Sequence, residues 1–220
     1  RTAKFLYNAY EYEQALPYYT RLEQVSKSPE MTQLAELGLM RCHYVVENFA
    51  NSAEYAKKVL GNKQITNTVK LEAEYIKGIS LAKTDRFTEA LPSLEYVVKN
   101  TTTEFAAESK YTIAEGYYKK GDLTKTDTEI RALLKMKPGY DYWIAKGLIL
   151  QTKVLRDKKD LFQAEQTIRS VIDNYPDDED GIKQEANDLL EEILQLKNKP
   201  KSIQEPSGTV IEVGGDKSGN

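Results

Sequence analysis

The sequence predicts an all-α protein: a right-handed α-solenoid of about five helix pairs, closed by a C-terminal capping helix. Leu71, Tyr75, Gly78 and Ala82 fall at i, i+4, i+7 and i+11, the spacing of one helix face. Past a break at Thr84-Asp85-Arg86, Phe87, Ala90, Leu94 and Val97 or Val98 form a second stripe. So short a turn makes the two helices antiparallel, and Gly78 and Ala90 are small enough to let them approach. The unit then recurs, with Ala107, Tyr111, Ala114 and Tyr118 at the same offsets, Gly121-Asp122 as the turn, and Ile130 and Leu133 beyond it. Small residues early in each second helix, Ala15, Ser52, Ala90, Thr126 and Ala164, stand 37, 38, 36 and 38 residues apart. No single hairpin can hide these stripes, so hairpins repeating at this period must stack.

Taken in order, residues 1–8 read as the last turns of a first helix whose repeat is truncated, as if the chain were a trimmed piece of a longer protein. Tyr10 to Val25 is its partner. Pro17, and Pro92 in the same register, lack a helical N–H donor and are expected to start their helices late or bend them. Ser28-Pro29-Glu30 is a helix start, with serine as N-cap. That helix runs to about Val46 and carries Leu34, Leu37, Arg41 and Tyr44 on one stripe; Ser52 to Leu60 follows, stopped by Gly61. Thr66 or Thr68 opens the reference pair. Thr101-Thr102-Thr103-Glu104 reads as a capping box. Pro138-Gly139 precedes the fifth pair, Tyr142 to Arg156 and Leu161 to Asn174. The acidic run Asp177-Asp178-Glu179-Asp180 is expected to cap the terminal helix, Ile182 to Lys197. Residues 198–220, rich in Pro, Gly and Ser, read as a flexible tail whose Thr209–Val213 run could dock as an extended segment.

Gly78…Phe87-x-x-Ala90, Ala114…Gly121-Asp122-Leu123 and Leu161-x-x-Ala164 resemble the tetratricopeptide pattern of small residue, aromatic or Leu, and Ala. The extra length of the units and the Ala-x-x-x-Tyr openings are similar to bacterial cell-envelope repeat proteins of the Tol-Pal-coordinator and outer-membrane-assembly lipoprotein type. Tyr142-Trp143-Ile144-Ala145 through Asp173-Asn174-Tyr175 resembles the closing repeat of large Bacteroidetes members. The resemblance implies a non-enzymatic scaffold holding a protein or peptide segment on its concave face, in the periplasm or at the outer membrane, with the cytoplasm as the other setting. The alternative it leaves is a structural stalk or assembly subunit that self-associates. Carried over by register, the groove comprises Arg41 and Tyr44, then Tyr75, Ile79 and Lys83, then Tyr111, Glu115 and Tyr118, and lastly Ile149, Lys153 and Arg156. The family's carboxylate clamp uses Asn with Lys or Arg. Here Arg41, Ile79, Glu115 and Lys153 occupy those places, and the pattern departs from it.

Composition narrows the classes. With 40% hydrophobic residues among 220, the chain can bury a continuous core. A net charge of −3 with neither sign dominant argues against a nucleic-acid partner. Fifteen tyrosines against five phenylalanines suit a groove, although most are expected at repeat core positions. Cys42 is the only cysteine and allows no intrachain disulfide. His43, the only histidine, neighbours it on a helix, about 100° away, so no triad or His-based metal cluster is expected and both residues read as packing. No run is long enough to span a membrane, and no Gly-rich phosphate loop or cofactor motif is found. The chain reads as non-enzymatic.

Overall fold

The computed structural model describes residues 1–177 and 179–198. Among them it is wholly helical: α1 Thr2–Asn8, α2 Tyr12–Val25, α3 Pro29–Val45, α4 Phe49–Gly61, α5 Asn67–Lys83, α6 Phe87–Asn100, α7 Glu104–Lys119, α8 Leu123–Leu134, α9 Asp141–Asp157, α10 Leu161–Asn174 and α11 Ile182–Asn198. This is five antiparallel pairs and a terminal helix, as the repeat spacing predicts. The tail from 199 onward, with its proposed docking run at Thr209–Val213, lies outside the described residues, as does Asp178.

Each helix packs on its neighbours in sequence. The odd-numbered helices also bring their backbones together in series, from α1 on α3 through to α9 on α11, whereas no two even-numbered helices come as close; α4 and α2 meet only through long side chains such as Tyr55 and Lys58 on Glu23. A stack whose one layer is closer-spaced than the other curves toward the close layer. The odd helices therefore line the inner face.

Small residues permit the close approach. All five register markers, Ala15, Ser52, Ala90, Thr126 and Ala164, are fully buried. A Cβ on Gly78 would stand 2.7 Å from the Leu94 side chain and 3.2 Å from the Leu94 backbone nitrogen. Phe87, Leu94 and Val97 complete the seam that the sequence stripe outlined.

Within each pair the turn places one residue in the left-handed region: Tyr10 (φ 62°), Glu47 (57°), Asp85 (58°), Gly121 (76°) and Lys159 (65°). Each lies five residues before its register marker. Next comes an N-cap, and at Asn48, Asp122 and Asp160 the side chain accepts a backbone N–H from α4, α8 or α10. Asn48 starts α4 at Phe49, earlier than the expected Ser52.

Three local expectations are corrected. Pro17 and Pro92 lie inside α2 and α6, which begin five residues earlier, so neither delays its helix. Ser28 is the N-cap of α3, but its hydroxyl donates to Glu30 instead of accepting a backbone N–H. No capping box forms at Thr101: Thr103 is the N-cap of α7, and the Thr101 hydroxyl accepts the Thr103 N–H. The tyrosines also differ from expectation. Tyr19, Tyr75 and Tyr175 are buried, while the others are half-buried or exposed, because a ring at a repeat junction keeps its hydroxyl within reach of a polar partner. Asp180 does cap α11, accepting the Ile182 N–H at 3.0 Å.

Gly78→Ala is expected to lower stability by about 1–3 kcal/mol through overpacking, despite the gain in helix propensity. Gly61→Ala, with open space around it, should be neutral or stabilising in the same urea titration. Equal effects would place the seam elsewhere. Lys159→Gly relieves a left-handed non-glycine residue and is expected to stabilise by up to about 1 kcal/mol, read as a raised urea midpoint.

Candidate binding cleft on the inner face

The side chains of the odd helices mostly reach across to the next repeat. Arg41 donates from Nε and Nη2 to the two Glu72 carboxylate oxygens, both at 2.6 Å, the bidentate geometry of a strong charge-assisted pair. The Tyr44 hydroxyl donates to the Tyr75 hydroxyl at 3.2 Å, and Tyr75 donates to Glu108. The Tyr118 hydroxyl donates to Asp157 at 2.8 Å and accepts from Arg156 at 3.1 Å. Lys146 and Lys153 converge on Glu185 at 2.7 and 2.8 Å, and Arg156 also reaches Glu192. These bonds form a polar ladder from α3 to α11.

The ladder reassigns much of the predicted groove. Arg41, Tyr44, Tyr75, Tyr118, Lys153 and Arg156 lie on the inner layer, but their polar ends are engaged by the neighbouring repeat. Ile79 and Ile149, 2% and 1% exposed, belong to the core. The stripe that suits α7 is turned toward the adjacent helices on α5 and α9, so Ile79 contributes only the floor of the cleft beside it.

Lys83, Tyr111 and Glu115 remain, and the structure brings them together. Tyr111 donates to Glu115 of its own helix at 3.2 Å instead of reaching across, and the inner face opens there into a cleft of about 270 Å³ between α5, α7 and α9. Its walls include Lys83 and Asp85 on one side, Glu108, Tyr111 and Glu115 in the middle, and Tyr142, Trp143 and Lys146 on the other. The Trp143 ring lies 5.6 Å from Tyr111 and 4.9 Å, edge-on, from Tyr142. Trp143 donates its indole N–H to Glu104 at 3.1 Å. Lys83 makes no ion pair among the described residues. A comparable hollow, about 300 Å³, lies between α9 and the end of α10, with Asp141 as its one charged lining residue.

Burial dominates the electrostatics of the cleft. It holds the Glu108 carboxyl above the usual carboxylate range, against the lowering effect of the Tyr75 hydroxyl and Lys83. Burial likewise raises Tyr111, helped by Glu115, and Tyr75, helped by Glu108. Glu185 goes the other way: burial raises it, but Lys146 and Lys153 together outweigh that and bring it below the usual range. Cys42 and His43 sit outside the cleft. Burial pushes the Cys42 thiol up to about 11, and His43 stacks on Tyr55 with centroids 5.6 Å apart.

Sequence reasoning missed Tyr142 and Trp143. Trp143 stands one turn before Lys146 on the stripe carried over to α9, and that position was the available signal.

Two solved structures share this architecture. YrrB, described as a TPR protein with an unusual peptide-binding site, matches with a TM-score of 0.62 at 20% identity, covering 84% of this chain and 88% of its own. MamA matches with a TM-score of 0.57 at 16% identity, covering 90% and 96%. This chain has the tetratricopeptide-repeat fold. No family model and no curated protein matches its sequence. At these identities the likeness concerns the fold.

Glu108 and Glu185 give opposite pH dependences. A carboxyl raised in the folded state contributes stability that is full below its unfolded pKa and lost as pH rises through the folded value. Glu108→Gln should therefore be more stable than wild type at neutral pH, with the advantage closing on acidification. Glu185 contributes above its unfolded pKa and loses that contribution as pH falls through the depressed folded value. Glu185→Gln should be less stable at neutral pH and converge with wild type in acid. Urea midpoints at a series of pH values check both, and gaps independent of pH would contradict the assignment.

Proposed function

We propose that this tetratricopeptide solenoid is a non-enzymatic binding scaffold that holds a protein or peptide segment in the cleft between α5, α7 and α9. One observation carries the reading. The inner ladder is interrupted at Tyr111, and the gap collects Trp143 and Tyr142 beside Lys83. Rigid aromatic faces with a polar edge and a cation outside any ion pair are what anchor an extended segment. The engaged state of Lys146, Lys153 and Arg156 favours recognition at this cleft over an acidic peptide lying along the C-terminal repeat. The peptide-binding site ascribed to YrrB supports the same use of the fold.

The similarity of the Ala-x-x-x-Tyr openings to bacterial envelope repeat proteins supports a periplasmic or outer-membrane-associated setting. Fractionation of the source cells tests it, and recovery only from the cytosol would refute it.

Trp143 is the single tryptophan, so its emission reports on the cleft. Peptides selected on the immobilised chain from a random display library are expected to change that emission saturably. Tyr142→Ala or Lys83→Glu should weaken binding at least about tenfold, equivalent to ~1.4 kcal/mol. Selected peptides that bind both variants as tightly as wild type, without altering Trp143 emission, would move the site elsewhere.

A further inference from the structure

The third and fifth pairs match residue for residue in length. α5 and α6 run Asn67–Lys83 and Phe87–Asn100, α9 and α10 run Asp141–Asp157 and Leu161–Asn174, and all four helix ends stand 74 residues apart. In the third pair, half-buried Tyr96 of α6 lies against α5, with the Lys70 Nζ 4.8 Å from its ring, and Glu74, one turn after Lys70, pairs with Lys77 at 3.0 Å. In the fifth pair the places of Tyr96, Lys70 and Glu74 hold Ser170, Ile144 and Leu148. A covering ring has become a hydroxyl, and two charged side chains have become apolar.

The hollow of about 300 Å³ between α9 and the end of α10 lies at these substitutions, floored by Ile144, Ala145, Leu148, Val171 and Tyr175. Ile144 stands about 200° round α9 from Lys146 of the inner cleft, so the hollow opens on the opposite side of that helix. Its surroundings are acidic. Asp141 lines it, and from Asp173 to Asp180 the chain carries five acids and no base. Asp180 accepts from the Ile182 N–H and the Tyr175 hydroxyl, and Asp177 accepts the Glu179 N–H, bonds that leave the negative charge in place. Of the bases flanking this run, Arg169 is held by Glu165 at 2.8 Å, and no basic side chain lines the hollow.

An apolar depression within a negative rim is complementary to one large apolar side chain flanked by Lys or Arg. The chain's own bases beyond α11 do not fit. Lys199 and Lys201 follow the far end of that helix, about 25 Å from its start beside the hollow, and three residues of chain span at most about 11 Å. Lys217 stands next to Asp216, with no large apolar residue within three positions.

We propose that this hollow is a second docking site, independent of the inner cleft, for a basic segment of a partner protein. An aromatic or aliphatic side chain of that segment fills the place over Ser170 that Tyr96 fills in the third pair, and its bases face Asp141, Asp173 and Asp177.

A random peptide display library, depleted on Ser170→Tyr and then selected on the immobilised wild-type chain, tests it. Ser170→Tyr restores the third pair's ring at an exposed position. The recovered peptides are expected to carry Lys or Arg around one Phe, Trp or Leu, and to bind wild type at least about tenfold tighter than Ser170→Tyr by fluorescence anisotropy. Asp173→Lys, one turn from Ser170, should weaken them comparably, and binding should fall as salt rises. Lys83→Glu, in the inner cleft, should leave their binding unchanged. Circular dichroism and urea midpoints close to wild type would exclude misfolding of these exposed-site variants. A depleted library that yields no saturable binder overturns the proposal. So do recovered peptides without basic residues, binding that survives Asp173→Lys, or binding lost in Lys83→Glu.

Discussion

Each inner helix from α3 to α9 has to lie against its own partner, the preceding pair and the following pair at once, and small residues at the crossings let it. Gly78 against Leu94 is one crossing, where even the partner's backbone is within reach of an added Cβ. Gly116 is another, with the Phe87 ring of the preceding pair 2.2 Å from where a Cβ would stand. Burial at these seams brings the odd helices into mutual contact while the even ones splay apart. The curvature, and so the existence of an inner face, is a consequence of packing volume before any polar group is considered.

Once the odd helices are that close, their long polar side chains span the gap between repeats. Arg41 to Glu72, Tyr75 to Glu108, and Lys146 and Lys153 to Glu185 are paired in the same way down the stack. Half-buried pairs of this kind are less screened than surface ones and fix the register of successive hairpins. The cost is availability, because a guanidinium held by two carboxylate oxygens is not free for a ligand. The cleft between α5, α7 and α9 lies where the pattern lapses, with Tyr111 turned to Glu115 of its own helix.

The sequence made the architecture legible for a physical reason: the signals were local and repeated. The five small markers are all buried, α10 runs from Leu161 to Asn174 as its stripe predicts, and the break at Asp85 is a left-handed turn. Caps were less legible, since Thr101 and Thr103 are equally plausible by type and only the chain direction into α7 decides between them. The site was least legible. Whether Lys153 is a free cation depends on Glu185, 32 residues away, and no periodicity encodes that partnership. Ile79 and Lys83 lie one turn apart on one stripe, yet the neighbouring helices bury the first and leave the second exposed.

The left-handed turn residues 10, 47, 85, 121 and 159 keep a constant interval to their register markers, whereas the loops from each even helix to the next odd one vary from Ser26–Ser28 to Tyr175–Gly181. The variation in loop length is therefore confined to one rim. Evolution can lengthen that rim without disturbing the stacking phase, while a single extra residue on the opposite rim would rotate every later seam out of alignment. Engineered insertions, reporter peptides or fusion junctions belong on the permissive edge.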